Sequence, residues 1–148
     1  MTTILNTQNK IRHSSFQLII RHTSYVISPM SIEDLKQRFK QFAIDVATLI
    51  SRLPKGVINN AYCGQLIRSS SGSTANYRAA CRAKSQADFI NKLKIVEEEL
   101  DESVFFLELL QHFNPDFPET DDLIKEGHEL IAIIVASIKT ARQNQVKK

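Results

Sequence analysis

Residues 55–114 contain no proline, and the four prolines of the chain (Pro29, Pro54, Pro115 and Pro118) stand at a few discrete places. Proline lacks a backbone donor and clashes with the preceding turn, so long stretches free of it are where helices run. These stretches are rich in Leu, Ile, Ala, Lys, Glu and Gln, which form or tolerate helix. Four glycines and four prolines in 148 residues are also too few for the tight turns of an all-β protein. A chain of this length is expected to form one domain, and 43% hydrophobic with 24% charged residues excludes wholesale disorder. The expected class is all-α.

The first helix is expected over 32–53. Ser31-Ile-Glu-Asp34 is a capping-box-like start. Leu35, Phe39, Phe42, Val46, Leu49 and Leu53 then recur at three- and four-residue steps. Pro54 ends it, because the residue before a proline avoids the α region. The proline-free stretch is too long for one ordinary helix, and Ser85-Gln-Ala-Asp88 divides it into helices near 57–83 and 86–112. The third helix carries the seam Phe89, Leu93, Val96, Leu100, Ser103, Leu107 and Leu110. Asn114-Pro-Asp-Phe-Pro118 is a loop, and a fourth helix near 120–143 has the seam Leu123, Gly127, Leu130, Ile134, Ile138 and Ala141. Four long helices with short connections predict an up-down-up-down antiparallel four-helix bundle over residues 30–148. Residues 1–29 hold three basic residues, no acid and no sustained period. They are expected to be a poorly ordered tail, with Phe16–Ile20 as a short segment that rests on the bundle. Met30 is a candidate start of the functional domain.

The longest apolar run, Leu130–Ala136, is far too short to cross a bilayer, and no secretory signal is visible. Two cysteines then fit a reducing cytoplasm, and no membrane partner is expected. Cys63 and Cys81, five turns apart on one helix, are separated by roughly 27 Å and cannot pair within the chain. They are read as core thiols. No Glu-x-x-His occurs, the four histidines and two cysteines have no zinc spacing, and there is no Gly-x-Ser-x-Gly elbow. Glu97–Glu99 is an acid run on consecutive positions rather than a converging pair. No catalytic residue, metal or cofactor is therefore assigned.

Two helices have more than one apolar side. Phe105 and Leu109 lie nearly opposite Leu93, Leu100 and Leu107 at 100° per residue. A monomeric bundle needs one buried stripe per helix, so Phe105, Leu109 and the adjacent Phe106 are read as a subunit interface. On the second helix, Cys63, Leu66 or Ile67, Ser70, Thr74, Tyr77 and Cys81 follow a heptad. Ala61, Gly64, Gly72, Ala75 and Ala79 form a side with almost no bulk, expected to abut a neighbouring helix. The serine run 69–74 invites a phosphate-loop reading, but neither the lysine nor the preceding strand of a P-loop is present.

Charge is segregated. From Lys55 to Ala87 the chain carries Lys55, Arg68, Arg78, Arg82 and Lys84 and no acid, whereas the third helix supplies Asp88, Glu97, Glu98, Glu99, Asp101, Glu102 and Glu108. Pairing between the two helices is the bland reading. The functional one is a basic surface for a phosphate backbone, with Arg68, Arg78, Arg82 and Lys84 as contacts.

Leu53-Pro54-Lys55, Gln65-Leu-Ile-Arg-Ser69, Ala75-Asn-Tyr-Arg78, Arg82-Ala-Lys-Ser85 and Asp88-Phe-Ile-Asn-Lys92 occur in order, followed by Lys94-Ile-Val-Glu-Glu-Glu-Leu-Asp-Glu-Ser103 and Phe106-Leu-Glu-Leu-Leu110. With these blocks the chain resembles the four-helix-bundle proteins named after open reading frames in intervening sequences of bacterial 23S ribosomal RNA. The likeness spans about residues 33–115 well and the fourth helix loosely. It implies a small cytoplasmic bacterial protein without established enzymatic activity, assembling into a ring of commonly five subunits. A similar bundle is the accessory variability determinant of diversity-generating retroelements, where a basic pentamer binds nucleic acid and a reverse transcriptase. This chain departs from many members at Gly72, Ser73 and Thr74, where they carry Ser, an apolar residue and Gly.

The leading expectation is a non-catalytic homo-oligomer, a pentamer by resemblance, that binds RNA or DNA. The alternative is a protein-interaction scaffold or accessory subunit for a mobile-element enzyme such as a reverse transcriptase. A helical ribonuclease would need converging His and Arg, and His13 and His22 fall in the expected tail.

Overall fold

The computed structural model of the chain describes residues 30–146, which form four helices: α1 (Ile32–Arg52), α2 (Val57–Ala80), α3 (Gln86–Phe113) and α4 (Glu119–Val146). The expected tail, residues 1–29, lies outside the described residues. The expected helix ends differ from the observed ones by no more than a turn, as fraying termini allow.

The boundaries of α1 and α3 have local causes. The Ser31 hydroxyl accepts the Asp34 N–H at 3.0 Å while the Asp34 carboxylate accepts the Ser31 N–H at 2.9 Å, closing a reciprocal box. Leu53, next to Pro54, is extended and ends α1. Ser85 caps α3 by accepting from Asp88 N–H at 3.1 Å. Asn114 ends α3 and is buried, and its side chain exchanges two hydrogen bonds with Asn59 at 2.9 and 3.0 Å. Asn59 also donates to the Pro54 carbonyl, so one amide pair ties the α1–α2 turn to the end of α3.

The chain runs up-down-up-down. Phe39 and Tyr77 stack at 4.6 Å across α1 and α2, Ser103 reaches Ser69 across α3 and α2, and Arg38 of α1 grips Glu126 and Glu129 of α4. The four-helix bundle is all-α among the described residues. The core takes the α1 stripe and every apolar member of the expected α3 and α4 seams. Among the described residues, no helix is long and apolar enough to cross a membrane.

The α2 face corrects the sequence reading. Ala61, Gly64 and Ala75 are exposed and abut no neighbouring helix. Ser69, Ser70 and Ser73 are fully buried instead, and Ser69 meets α3 at Ser103. Their hydroxyls bond the carbonyls three residues back, and Ser103 donates to Ser69 at 2.9 Å, so no polar atom of the serines is stranded. Small side chains do bring the helices together, but serines outside the expected side make most of the buried surface. Gly72 and Ala79 are the exceptions, both half-buried, with the Glu99 carboxyl lying 3.1 Å from where a Cβ on Gly72 would be. The serine run is continuous helix, which excludes a phosphate loop there.

Candidate nucleic-acid interface

The antiparallel order brings the starts of α1 and α3 to the same end of the bundle as the ends of α2 and α4. Contacts fix this placement: Thr74 donates to the Phe39 carbonyl across α2 and α1, and the Gln86 amide donates to the Ala141 carbonyl across α3 and α4. Arg78, Arg82 and Lys84 lie at this end, all exposed, and none makes an ion pair among the described residues. Arg78 feels Glu33 only through longer-range attraction.

Arg68 is different. Its guanidinium pairs with Glu102 and, at 3.5 Å, with Glu99, so the bland pairing between helices holds at this position. The structure therefore separates the four predicted contacts: three stand together at one end, and Arg68 sits farther along α2 in an intramolecular network.

Four acids at this end are already engaged, while Glu98 is exposed. Glu33 is bound by Lys36, Asp34 by Ser31, Asp88 by Lys92 and the Lys84 N–H, and Glu97 by Lys94 at 2.8 Å. These partners hold the carboxyls of Glu33, Asp34 and Asp88 below their usual range; the largest cause is the hydrogen bond from Lys36, Ser31 and Lys92 respectively. The opposite end carries exposed Glu108, Asp116, Asp121 and Asp122. The bundle is thus polar in charge, basic at one end and acidic at the other.

Sequence reasoning passed over two cations at the basic end, Lys139 and Arg142 on α4. The readable signal was the absence of any acid after Glu129. Both are exposed and make no ion pair among the described residues, and they rim a cleft of about 390 Å³ between α3 and α4. Val135 and Ile138 supply its apolar lining.

The predicted interface residues lie toward the acidic end. Phe105 is 52% exposed, and Phe106 and Leu109 are half-buried. Phe106 also packs on the core and meets the Tyr62 ring at 5.9 Å, while Phe105 meets Phe106 edge-on at 5.3 Å. Phe113, near Tyr62, is exposed as well, as are Val57 and Ile58 at the start of α2.

Cys63 and Cys81 are free and half-buried, and burial raises both thiols above their usual range. Read as core thiols, they pack against the core from its edge rather than lie inside it. No group of His, Cys, Asp and Glu able to hold a metal occurs among the described residues. His13 and His22 lie outside them.

No protein-family model matches the chain, and no curated protein matches it either. Among solved structures it is similar to a protein of unknown function from the S23 ribosomal protein family of Bacteroides thetaiotaomicron VPI-5482. The TM-score is 0.64 at 29% identity, over 73% of this chain and 97% of that one. The two share a fold.

Proposed function

We propose that this chain is a non-catalytic, self-associating four-helix bundle of bacterial cytoplasm that binds RNA or DNA through its basic end. The observation that carries this reading is the grouping of Arg78, Arg82 and Lys84, exposed and without ion pairs among the described residues, at an end where Glu33, Asp34, Asp88 and Glu97 already have partners. Free cations release counterions from a phosphate backbone, whereas a paired one such as Arg68 must first surrender its partner. The neighbour from the S23 ribosomal protein family and the resemblance to the 23S intervening-sequence proteins support the same reading. Association into a ring, five-membered by that resemblance, would repeat the basic end around an axis and add its contacts together. Phe105, Phe106 and Leu109 form the proposed contact between subunits.

The test is fluorescence anisotropy with labelled RNA and DNA oligonucleotides. The variant Arg78→Gln/Arg82→Gln/Lys84→Gln is expected to bind much more weakly than the unaltered protein, with little dependence on sequence. Equal affinity of the two would remove the site.

A second reading is a scaffold or accessory subunit for a mobile-element enzyme such as a reverse transcriptase. The exposed aromatic patch of Phe105 and Phe113 beside Tyr62 favours it, because such patches mark protein contacts. Retention of a protein partner without nucleic acid by the purified bundle would select this reading.

A further inference from the structure

The N-terminal turns of α3 are flanked by cations on both sides, although the chain supplies them from distant segments. Arg78, Arg82 and Lys84 stand on the side of α2, and Lys139 and Arg142 on the side of α4. The bond from Gln86, two residues after Lys84, to the carbonyl of Ala141, one residue before Arg142, holds the two groups at one end of the molecule. None of the five makes an ion pair among the described residues. The α4 pair rims a cleft of about 390 Å³ whose apolar lining is Val135, an exposed valine, and Ile138, and whose α3 side is the ion pair of Lys94 and Glu97. That volume lies within the range of small-molecule pockets, which combine an apolar wall with a few polar groups.

A duplex presents phosphates but keeps its base faces stacked. A single strand offers phosphates and free base faces together. A site with cations along its rim, its one carboxylate, Glu97, held by Lys94, and an aliphatic wall between them matches the second. From this juxtaposition we infer that Lys139 and Arg142 extend the phosphate-contacting surface across the start of α3, and that the α3–α4 cleft receives an unstacked base. The site therefore prefers single-stranded nucleic acid. This inference rests on the nucleic-acid reading above and adds its ligand class and its second half.

The experiment uses the full chain with a fluorescent single-stranded oligonucleotide and with the same sequence as a duplex. In about 0.1 M salt, Lys139→Gln/Arg142→Gln is expected to bind the single strand about twentyfold more weakly, the counterion-release contribution of two phosphate contacts. Lys125→Gln, at the acidic end and paired with Asp122, serves as the charge control and is expected to leave affinity unchanged. The unaltered protein is expected to bind the single strand more tightly than the duplex, and Val135→Asp to weaken binding of the single strand. Unchanged affinity in the α4 variant, or duplex binding as tight as single-strand binding, overturns the inference while leaving the α2 contacts standing. Failure of the unaltered protein to bind either form overturns the underlying reading instead.

Discussion

Gly127 of α4 and Val104 of α3 touch so closely that a Cβ on the glycine would stand 2.5 Å from Cγ2 of the valine. Both residues are buried, and the valine is β-branched and stiff. Gly127→Ala gains helix propensity of up to ~1 kcal/mol but overpacks this contact, which typically costs about 1–3 kcal/mol. Net destabilisation is expected, seen as a lower Tm, with Val104→Ala in the same chain restoring part of the loss. Gly72→Ala behaves oppositely. Its close neighbour is the far end of the Glu99 side chain, which can swing aside, so propensity wins and the Tm rises. A Tm that rises in the first variant and falls in the second would contradict the packing described.

Tyr77 is buried against Phe39, and its hydroxyl has no hydrogen-bond partner of good geometry among the described residues. Burial, and secondarily the nearby Cys81, pushes its pKa well above the usual tyrosine value. An unsatisfied buried polar group costs about 1–3 kcal/mol, so Tyr77→Phe keeps the stacked ring and is expected to stabilise the fold by about 1 kcal/mol. Chemical denaturation with unchanged m-value is the check; a loss of stability would show that the hydroxyl has a partner.

Acid sensitivity follows from the helix starts. Asp34 is held below the usual carboxylate range by Ser31, and Asp88 by Lys92. A carboxyl whose folded pKa is depressed contributes stability that is present above its unfolded value of about 3.9. That contribution disappears as pH falls through the lower folded value. Thermal melts followed by circular dichroism are therefore expected to be flat with respect to these groups above about pH 5 and to fall below about pH 4. Ser31→Ala/Lys92→Gln should flatten the acid limb; an unchanged slope would count against both contacts.

Self-association is tested at the aromatic patch. Phe105 is 52% exposed, so Phe105→Glu leaves the core intact while placing charge where a subunit contact is proposed. Light scattering is expected to give a multiple of 16.8 kDa for the unaltered protein and a smaller mass for the variant. An unaltered protein that remains a single subunit at micromolar concentration contradicts the assembly.

Much of the fold was legible because its determinants are local. Ser31, Pro54, Ser85 and the Asn114–Pro115 step act within a few residues of themselves, and the α1, α3 and α4 seams repeat with the helix period. On α2 the heptad of Leu66, Ser70 and Tyr77 was legible and is buried, but the place of Ser69 was not, since serine is small enough for a core and polar enough for a surface. Its side is decided by Ser103, more than thirty residues away. The same distance hid the fate of Arg68: only the fold brings Glu99 and Glu102 to it and so separates it from Arg78, Arg82 and Lys84. Lys139 and Arg142 were overlooked because their relation to Lys84 exists only through α3 packed against α4.

The salt dependence of oligonucleotide binding tests the account most directly. For a single strand, the slope of log K against log salt is about −0.7 per phosphate contact. Neutralising Arg78, Arg82 and Lys84 is predicted to make the slope shallower by about 2 while the bundle keeps its helical spectrum. A slope identical to that of the unaltered protein, or no salt dependence in either, would contradict it.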